Sequence, residues 1–269
     1  MIAVRAVQDT VRAHLFYQSR DMKEVRYFYV PHAAEMHELP EEEAQHAIRV
    51  LRMEAGDEMM LMDGEGTFYK AVVAEANKKH CFYNVVDALP QKRLWEPHLH
   101  VAMAPTKNID RTEWFAEKAT EIGVDEFSFI RSRWSERTII KTERIDKIVV
   151  SAMKQSRKAW KPLVNSMETF TSFVKRMAEM KSANGEEVQK FICHCHDDEP
   201  SLAAKAELID CMVKGADAVV MIGPEGDFSI DEVRMAVDNG FKSMSLGKSR
   251  LRTETAALAA VHIMSLSNR

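Results

Sequence analysis

From His98 onward, short apolar runs alternate with longer segments that have helical periodicity. This alternation constrains the fold strongly, because parallel strands need a crossover between them and a helix normally supplies it. The runs predicted as strands are His98–Ala104, Phe127–Ile130, Val188–Cys195, Ala218–Ile222 and Lys242–Leu246. The segments predicted as helices are Ile109–Ile122, Glu143–Lys158, Glu168–Met180, Ser201–Val213, Ser229–Asp238 and Glu254–Leu266. We therefore predict an α/β fold with a parallel sheet covered by helices.

The part of the chain before His98 has a different rhythm. A short helix is predicted over Glu41–Arg52, and the predicted strands are Tyr27–Val30, Glu58–Met62, Thr67–Ala74 and Cys81–Val86. Short strands joined by tight turns are typical of a small β-barrel. Residues 1–25 show no clear periodicity, and we interpret them as an extension outside the fold.

Composition excludes several classes of protein. The chain has 269 residues, a formal net charge of −4 and 46% hydrophobic residues, which is ordinary for a globular protein. No apolar run reaches the length of a membrane helix, so we expect no membrane association. With four cysteines and no signal peptide, the sequence favours a reducing, cytoplasmic setting.

Charge is distributed unevenly along the chain. Residues 35–65 hold ten acidic residues against two arginines, whereas residues 131–161 hold ten Lys or Arg residues against three acidic ones. The basic segment also contains Trp134 and Trp160. Arginine pairs with phosphates and tryptophan stacks on unpaired bases, so the segment suits looped or single-stranded RNA. A solvated helix face with tryptophans in the core fits equally well.

Two apolar runs end at glycine turns. Ala218–Ile222 leads into Gly223-Pro224-Glu225-Gly226, and Met244–Leu246 leads into Gly247. Loops at the carboxyl ends of parallel strands are where open α/β sheets bind ligands, although ordinary turns could look the same. The first turn has neither the phosphate-loop pattern nor the dinucleotide fingerprint. A nucleotide-like ligand without phosphates at this turn fits better, with its adenine edge bound by backbone groups.

The run Cys193-His194-Cys195-His196-Asp197-Asp198-Glu199 raises the question of a metal site. On a strand, the cysteines would point to one face and the histidines to the other, so at most two could converge. Structural zinc normally takes four clustered ligands. We therefore predict no metal site here, and we expect this strand end to lie beside the two glycine turns.

Arg252, Thr253 and Glu254 open the last predicted helix. Thr253 is a natural N-cap, and Glu254 would favour the positive end of the helix. Arg252 has no such structural role, which makes it the better candidate for a substrate contact.

With these residues in view, the sequence resembles the SPOUT-class methyltransferases, specifically the small-subunit ribosomal RNA uridine N3-methyltransferases (RsmE type). The segments that carry the resemblance are Gln45–Arg52 with Gly56-Asp57, Glu117–Val124, Ser135–Arg137, Gln155–Arg157, Gly223–Gly226 and Leu251–Ala256. Two departures are visible. Asp227 stands where the family usually has glycine, and Ser249-Arg250 stands where it usually has Arg-Ile.

The resemblance implies a PUA-like RNA-binding β-barrel over residues 26–95 and a SPOUT α/β domain with a trefoil knot over residues 97–269. It implies a homodimer that binds S-adenosylmethionine and methylates N3 of a uridine in 16S ribosomal RNA, free or in the assembled small subunit. The implied cofactor-binding residues are His194, Cys195, Ile222, Gly223, Pro224, Glu225, Gly226, Leu246, Gly247 and Leu251. The residues expected to contact RNA are Arg49, Arg52, Arg133, Arg137, Arg157 and Lys158.

Uracil N3 carries a proton at neutral pH and is a poor nucleophile until that proton leaves. We expect Arg252 to stabilise the resulting anion electrostatically and Glu254 to be a weaker candidate for the base. N3 lies on the Watson–Crick edge, so the target must be unpaired or flipped out. The alternatives are a methyltransferase that acts on a ribose 2′-hydroxyl or another base, a non-catalytic RNA-binding assembly factor and, more remotely, a zinc-dependent hydrolase.

Overall fold

The structure is a computed structural model that describes residues 25–196, 199 and 205–269. Nearly all of the predicted N-terminal extension therefore lies outside the described residues. None of the helices in the described ranges has the length and apolarity needed to cross a membrane.

The N-terminal part of the described chain forms a four-stranded sheet. Its strands are β1 (Tyr27–Tyr29), β2 (Glu58–Met62), β3 (Thr67–Ala76) and β4 (Cys81–Pro90), in the order β1-β2-β3-β4. β1 runs parallel to β2 and the other pairs are antiparallel. Phe28, Leu61 and Tyr83 are among the buried side chains of its core. The strands predicted before His98 are confirmed, with β3 and β4 longer than expected.

Only the first part of the predicted helix over Glu41–Arg52 is an α-helix. Helix α1 covers Glu41–Gln45, and a π-helical turn follows over His46–Val50. The amide of Leu51 bonds to the carbonyl of His46, five residues back, which widens the turn. Arg52 then adopts a left-handed conformation (φ +54°), which ends the helix.

The C-terminal sheet has eight strands, and all its pairings are parallel. The strands are β5 (Leu99–Met103), β6 (Glu126–Arg131), β7 (Leu163–Val164), β8 (Glu168–Thr169), β9 (Gln189–Cys193), β10 (Ala206–Glu207), β11 (Ala218–Ile222) and β12 (Lys242–Ser245). Their order is β10-β12-β9-β11-β5-β6-β7, with β8 paired to β6. The predicted α/β fold with a parallel sheet is confirmed.

Helices cover both faces of this sheet. They are α2 (Ile109–Ile122), α3 (Thr142–Ser156), α4 (Phe170–Ala178), α5 (Leu208–Cys211), α6 (Ile230–Asp238) and α7 (Thr253–Ser267). Phe115 of α2, Ile145 of α3 and Val261 of α7 belong to one core cluster. Phe173 of α4 and Val233 of α6 belong to another. The sheet is therefore the middle layer of three.

Three predicted segments are wrong in detail. The helix predicted over Glu168–Met180 begins only at Phe170, because Glu168–Thr169 is strand β8, which pairs with β6. The helix predicted over Ser201–Val213 begins outside the described residues, and Ala206–Glu207 within it is strand β10. β10 pairs with Met244 and Ser245 at the sheet edge, so edge pairing overrides the helical pattern there. The strand predicted over Val188–Cys195 ends at Cys193, because the amide of Cys195 bonds to the Asp227 carboxylate and not to a neighbouring strand.

Candidate functional site

The loops that follow β9, β11 and β12 begin side by side at the carboxyl edge of the C-terminal sheet. Cys193 pairs with Ile222 of β11 on one side and with Met244 of β12 on the other. Loops 194–196, 223–229 and 246–252 therefore lie on neighbouring strands, which is where an open parallel sheet binds ligands. The structure brings all the predicted cofactor-binding residues to this edge.

The Gly-Pro-Glu-Gly segment is a tight turn whose glycines make room for other parts of the protein. The amide of Asp227 bonds to the carbonyl of Pro224 at 2.9 Å. A Cβ at Gly223 would lie 3.1 Å from the backbone nitrogen of Phe228, and one at Gly226 would lie 3.0 Å from Cβ of Trp134. At these two positions a protein neighbour, not a ligand, occupies the space next to Cα.

Open space is found instead at Gly247. This residue is left-handed (φ +108°), and a Cβ there would meet no atom of the described residues within 4 Å. Its neighbours Leu246 and Leu251 are half-buried. The 246–252 loop therefore offers a bare backbone and apolar side chains, which suit a ligand held by main-chain groups.

Asp227 links two of the three loops. Its carboxylate accepts hydrogen bonds from the amides of Cys195 at 2.7 Å and Phe228 at 2.8 Å. His196 adds a contact of 2.6 Å from its Nε2 to the carbonyl of Phe228. Asp227 is itself left-handed (φ +64°), which accounts for the family's usual glycine at this position. Asp tolerates this conformation better than most residues, and its side chain contributes the link.

A second network holds the Gly-Pro-Glu-Gly turn against the loop after β5. Glu225 accepts a hydrogen bond from the amide of Lys107 at 2.9 Å. Arg137 donates to the carbonyls of Thr106 at 3.0 Å and Lys107 at 2.7 Å. The sequence pattern did not indicate Thr106 or Lys107, because these contacts join residues about thirty and more than one hundred positions apart. Arg137 is a predicted RNA contact that has a positioning role in this structure.

Arg252 lies at the N-terminus of α7 with its side chain exposed. It is also the N-cap residue, with extended backbone (φ −71°, ψ 157°), and no side chain caps the helix. The prediction of Thr253 as N-cap is wrong. Thr253 is already the first helical residue and is 6% exposed, so its hydroxyl cannot take the capping position.

Glu254 is buried where α7 packs on α2. Its Oε1 lies 3.7 Å from Nε of Arg111, a residue that the sequence did not single out. Its Oε2 is buried and has no hydrogen-bond partner among the described residues. An ionised carboxylate with one oxygen in this state is able to accept a proton or a hydrogen bond.

The cysteine and histidine run has the geometry of a loop. Cys193 is buried at the strand end, and that burial raises the pKa of its thiol to about 12. Cys195 is exposed, and the rings of His194 and His196 lie 5.5 Å apart. Among residues 25–196, 199 and 205–269, no group of three His, Cys, Asp or Glu side chains is placed to hold a metal ion. Asp197 and Asp198 lie outside the described residues.

The predicted RNA contacts fall in three places. Arg133 and Arg137 lie on the loop after β6, beside the Gly-Pro-Glu-Gly turn, and Arg49 and Arg52 are exposed on the N-terminal part. Arg157 and Lys158 follow α3 at the junction of the two sheets. The guanidinium of Arg157 lies 5.4 Å from the centre of the Tyr27 ring.

The two tryptophans of the basic segment have different environments. Trp134 is 52% exposed, with the guanidinium of Arg133 at 5.0 Å from its ring centre. Trp160 packs against Gly66, where a Cβ would lie 2.2 Å from its ring, and Arg93 covers it at 4.2 Å. Trp134 is therefore open to a partner, whereas Trp160 joins the two sheets.

Comparison with known proteins places this chain in a class. A family model described as RNA methyltransferase domain matches residues 94–265, and one described as RNA methyltransferase PUA domain matches residues 39–85. The chain therefore belongs to the RNA methyltransferases with a PUA-like N-terminal part, as its resemblance to the SPOUT class implies.

Individual relatives show which family of RNA methyltransferases the chain belongs to. Ribosomal RNA small subunit methyltransferase E of Aquifex aeolicus is 31% identical over 230 residues, which cover 84% of this chain and 92% of the relative. The crystal structure of a probable rRNA-methyltransferase from Porphyromonas gingivalis has a TM-score of 0.81 and 39% identity, and the match covers 91% of this chain and 98% of that one. A Ribosomal RNA small subunit methyltransferase E from Neisseria gonorrhoeae, bound to S-adenosyl methionine, has a TM-score of 0.75 and 25% identity, with 90% and 98% covered. This chain belongs to the ribosomal RNA small subunit methyltransferase E family.

Proposed function

We propose that this protein transfers a methyl group from S-adenosylmethionine to N3 of a uridine in 16S ribosomal RNA. The observation that carries the proposal is the meeting of loops 194–196, 223–229 and 246–252 at one sheet edge, in a member of a family with a relative whose structure holds S-adenosyl methionine. The cofactor, when bound, supplies an electrophilic methyl group. The chain's own residues must hold the uracil in line with it and deal with the N3 proton.

The site residues fit a nucleoside-like group without phosphates. Gly247 leaves backbone open, and Leu246 and Leu251 are apolar and half-exposed beside it. The cofactor-binding set in this proposal is His194, Cys195, Ile222, Gly223, Pro224, Glu225, Gly226, Leu246, Gly247 and Leu251. Asp227 and Glu225 keep this set in place, through Cys195 and Lys107 respectively.

Arg252 and Glu254 carry the catalytic roles in this proposal. The exposed Arg252 guanidinium stabilises the charge that develops on O2 and O4 as N3 loses its proton. Glu254 is the weaker candidate for the base that accepts that proton: its Oε2 has no hydrogen-bond partner in the described part of the chain, but that oxygen is buried. Nε of Arg111 lies 3.7 Å from the other carboxylate oxygen, Oε1.

RNA binding in this proposal uses Arg49, Arg52, Arg133, Arg137, Arg157 and Lys158, with Trp134 as a base-stacking residue. Trp134 supports this because it is exposed and lies against Gly226, at the edge of the cofactor loops. We further propose a cytoplasmic homodimer with a trefoil knot. The knot is supported by the path of the chain, which leaves β12, next to the edge strand β10, and returns to pack α7 on α2 and β5.

The experiment is incubation of small subunits from a strain that lacks this methylation with the protein and isotope-labelled S-adenosylmethionine, followed by nucleoside analysis. The label is expected in 3-methyluridine. Label in a 2′-O-methyl nucleoside or another base would support the related methyltransferases. Failure to bind S-adenosylmethionine in calorimetry would support an RNA-binding assembly factor.

A further inference from the structure

A cavity of about 290 Å³ lies between the N-terminal sheet and the C-terminal sheet. Its walls include His98, Asp125 and Leu163, which stand at the amino ends of β5, β6 and β7. The cofactor loops follow the carboxyl ends of their strands. The cavity is therefore at the opposite edge of the sheet from the proposed methyl-transfer site, and two of the proposed RNA contacts, Arg157 and Lys158, line it.

The lining of the cavity is strongly basic. Its cationic side chains are Lys92, Arg93, Arg157, Lys158 and Lys161, and Asp125 is its one carboxylate. Arg93 is paired with Asp125 at 2.7 Å, and Lys161 is paired with Asp146. Even with these pairs formed, the wall keeps an excess of positive charge that an anionic ligand would neutralise.

Lys158 is the most informative of these cations. Its ammonium group makes no ion pair and no hydrogen bond with any residue in the described ranges, although it is half-buried. That burial lowers the pKa of Lys158 below its ordinary value. A partly desolvated lysine without a counter-ion is costly unless a ligand supplies the negative charge.

The remaining wall is apolar and aromatic. Phe68, Trp95 and Trp160 line it, and Leu94 and Leu163 are 62% and 55% exposed at this cavity. The indole Nε1 of Trp160 is buried and lacks a hydrogen-bond partner in the described part of the chain. Cations beside apolar and aromatic surface are the combination that binds a nucleotide, through its phosphate and its base.

We propose that this cavity is a second RNA-binding site, which takes one nucleotide of the ribosomal RNA outside the methylated position. Lys158 contacts its phosphate, and the base packs against Leu94 and Leu163. The inference rests on the proposed function in that the ligand is RNA and Lys158 is one of the proposed RNA contacts. The protein would then hold its substrate at both edges of the C-terminal sheet, roughly 15 Å apart by the length of a five-residue strand.

The test compares Lys158→Gln with Lys175→Gln, which removes an exposed lysine from α4 outside the cavity. Binding of 16S ribosomal RNA to the full chain is measured by filter binding over a range of salt concentrations. We expect Lys158→Gln to bind about tenfold more weakly, with the slope of log K against log salt shallower by about 0.7. Lys175→Gln should bind like the unsubstituted protein, and S-adenosylmethionine affinity should be the same for all three. The thermal midpoint of Lys158→Gln should be no lower than that of the unsubstituted protein, because the substitution removes a half-buried charge.

Equal RNA affinity and equal salt slope for both variants would overturn the proposal, even where the unsubstituted protein methylates N3. If the unsubstituted protein fails to methylate N3 but Lys158→Gln still weakens RNA binding, the proposed function is contradicted and the second RNA-binding site is supported. Ultraviolet crosslinking to RNA is a second test that does not depend on the variants, and we expect adducts in residues 91–97 or 157–163. Saturable binding of uridine monophosphate in the cavity that leaves RNA binding unchanged would assign the cavity to free nucleotides and would also overturn the proposal.

Discussion

Arg252 is an exposed cation at the N-terminus of α7, where the loop after β12 ends. We propose that it stabilises charge that develops only as N3 is deprotonated, so Arg252→Ala should lower the methylation rate about 100-fold and leave cofactor affinity within about twofold. The measurement is single-turnover methylation together with calorimetry. Arg250→Ala, which removes an exposed arginine from the same loop, is the matched control and should keep most of the rate. Full activity of Arg252→Ala would remove this residue from the mechanism.

Asp227 combines a left-handed backbone with two hydrogen bonds, one from the amide of Cys195 in the neighbouring loop and one from the amide of the next residue, Phe228. Asp227→Gly suits the backbone but removes both acceptors, so the 194–196 loop loses its anchor. We expect S-adenosylmethionine to bind roughly tenfold more weakly to this variant in calorimetry. Asp227→Asn keeps one acceptor oxygen and should lie between the glycine variant and the unsubstituted protein. Unchanged affinity in Asp227→Gly would show that this link does not organise the cofactor site.

At the scale of single elements, local sequence was sufficient where a segment's own pattern decides its structure. The limits of Glu58–Met62, Ile109–Ile122 and Ala218–Ile222 are as predicted, and Ser229 and Glu232 form a capping box at the start of the predicted helix over Ser229–Asp238. The predictions were wrong where tertiary contacts determine the secondary structure. Ala206–Glu207 is a strand because it pairs with β12. The strand that contains Cys193 ends earlier than predicted because the amide of Cys195 bonds to the Asp227 carboxylate.

The pairing of β5 with β6 buries a histidine whose protonation affects stability. His100 lies 2.9 Å from Ser128 Oγ and 3.6 Å from Glu126 Oε1, and it is 2% exposed. Burial lowers the pKa of His100 to about 4, against the nearby charge of Glu126 and with smaller effects from His98 and Arg176. The folded protein therefore resists protonation of His100 in a range where the unfolded chain accepts a proton.

The sign of the pH dependence follows from these pKa values. The contribution of His100 is present above pH 6.5 and is lost as the pH falls toward 4. The raised pKa of His98 makes the free energy of unfolding fall as the pH rises above 6.5. The pKa of Glu126, lowered to about 2, makes it fall as the pH drops below 4.5. Between pH 6.5 and 4.5 we expect His100 to cost about 2 to 3 kcal/mol of unfolding free energy. Urea unfolding should show a flatter pH dependence for His100→Asn, and equal slopes for the two proteins would contradict this account.

At the scale of the whole molecule, the acidic and basic segments of the sequence partly pair with each other. Glu42 and Glu43 of α1 meet Lys147 and Lys154 of α3, at 2.5 Å and 2.6 Å. The sequence showed both charge clusters but not their contact, because the contact depends on how the N-terminal sheet docks on the C-terminal one. The basic segment is thus divided between internal pairing and surfaces open to RNA.

The two ion pairs differ in burial and should differ in energetic value. The side chains of Lys154 and Glu43 are 24% and 11% exposed, so Lys154→Met leaves a buried carboxylate without its partner. We expect a loss of about 2 kcal/mol in unfolding free energy. Lys147→Met is the matched control, because the Lys147–Glu42 pair is 67% and 79% exposed and should make no measurable difference. Equal stability of the two variants in urea unfolding would contradict a structural role for the Lys154–Glu43 pair.

The central claim is that the whole molecule methylates uridine N3 in 16S ribosomal RNA, with the loops after β9, β11 and β12 as the methyl-donor site. Reverse transcription across RNA of small subunits from a deletion strain, before and after treatment with the protein and S-adenosylmethionine, tests it most directly. A methyl group on N3 blocks base pairing, so we expect reverse transcription to stop at one further uridine, and only after treatment with both the protein and the cofactor. No new stop at any uridine, with a protein that is folded and binds the cofactor, would contradict it.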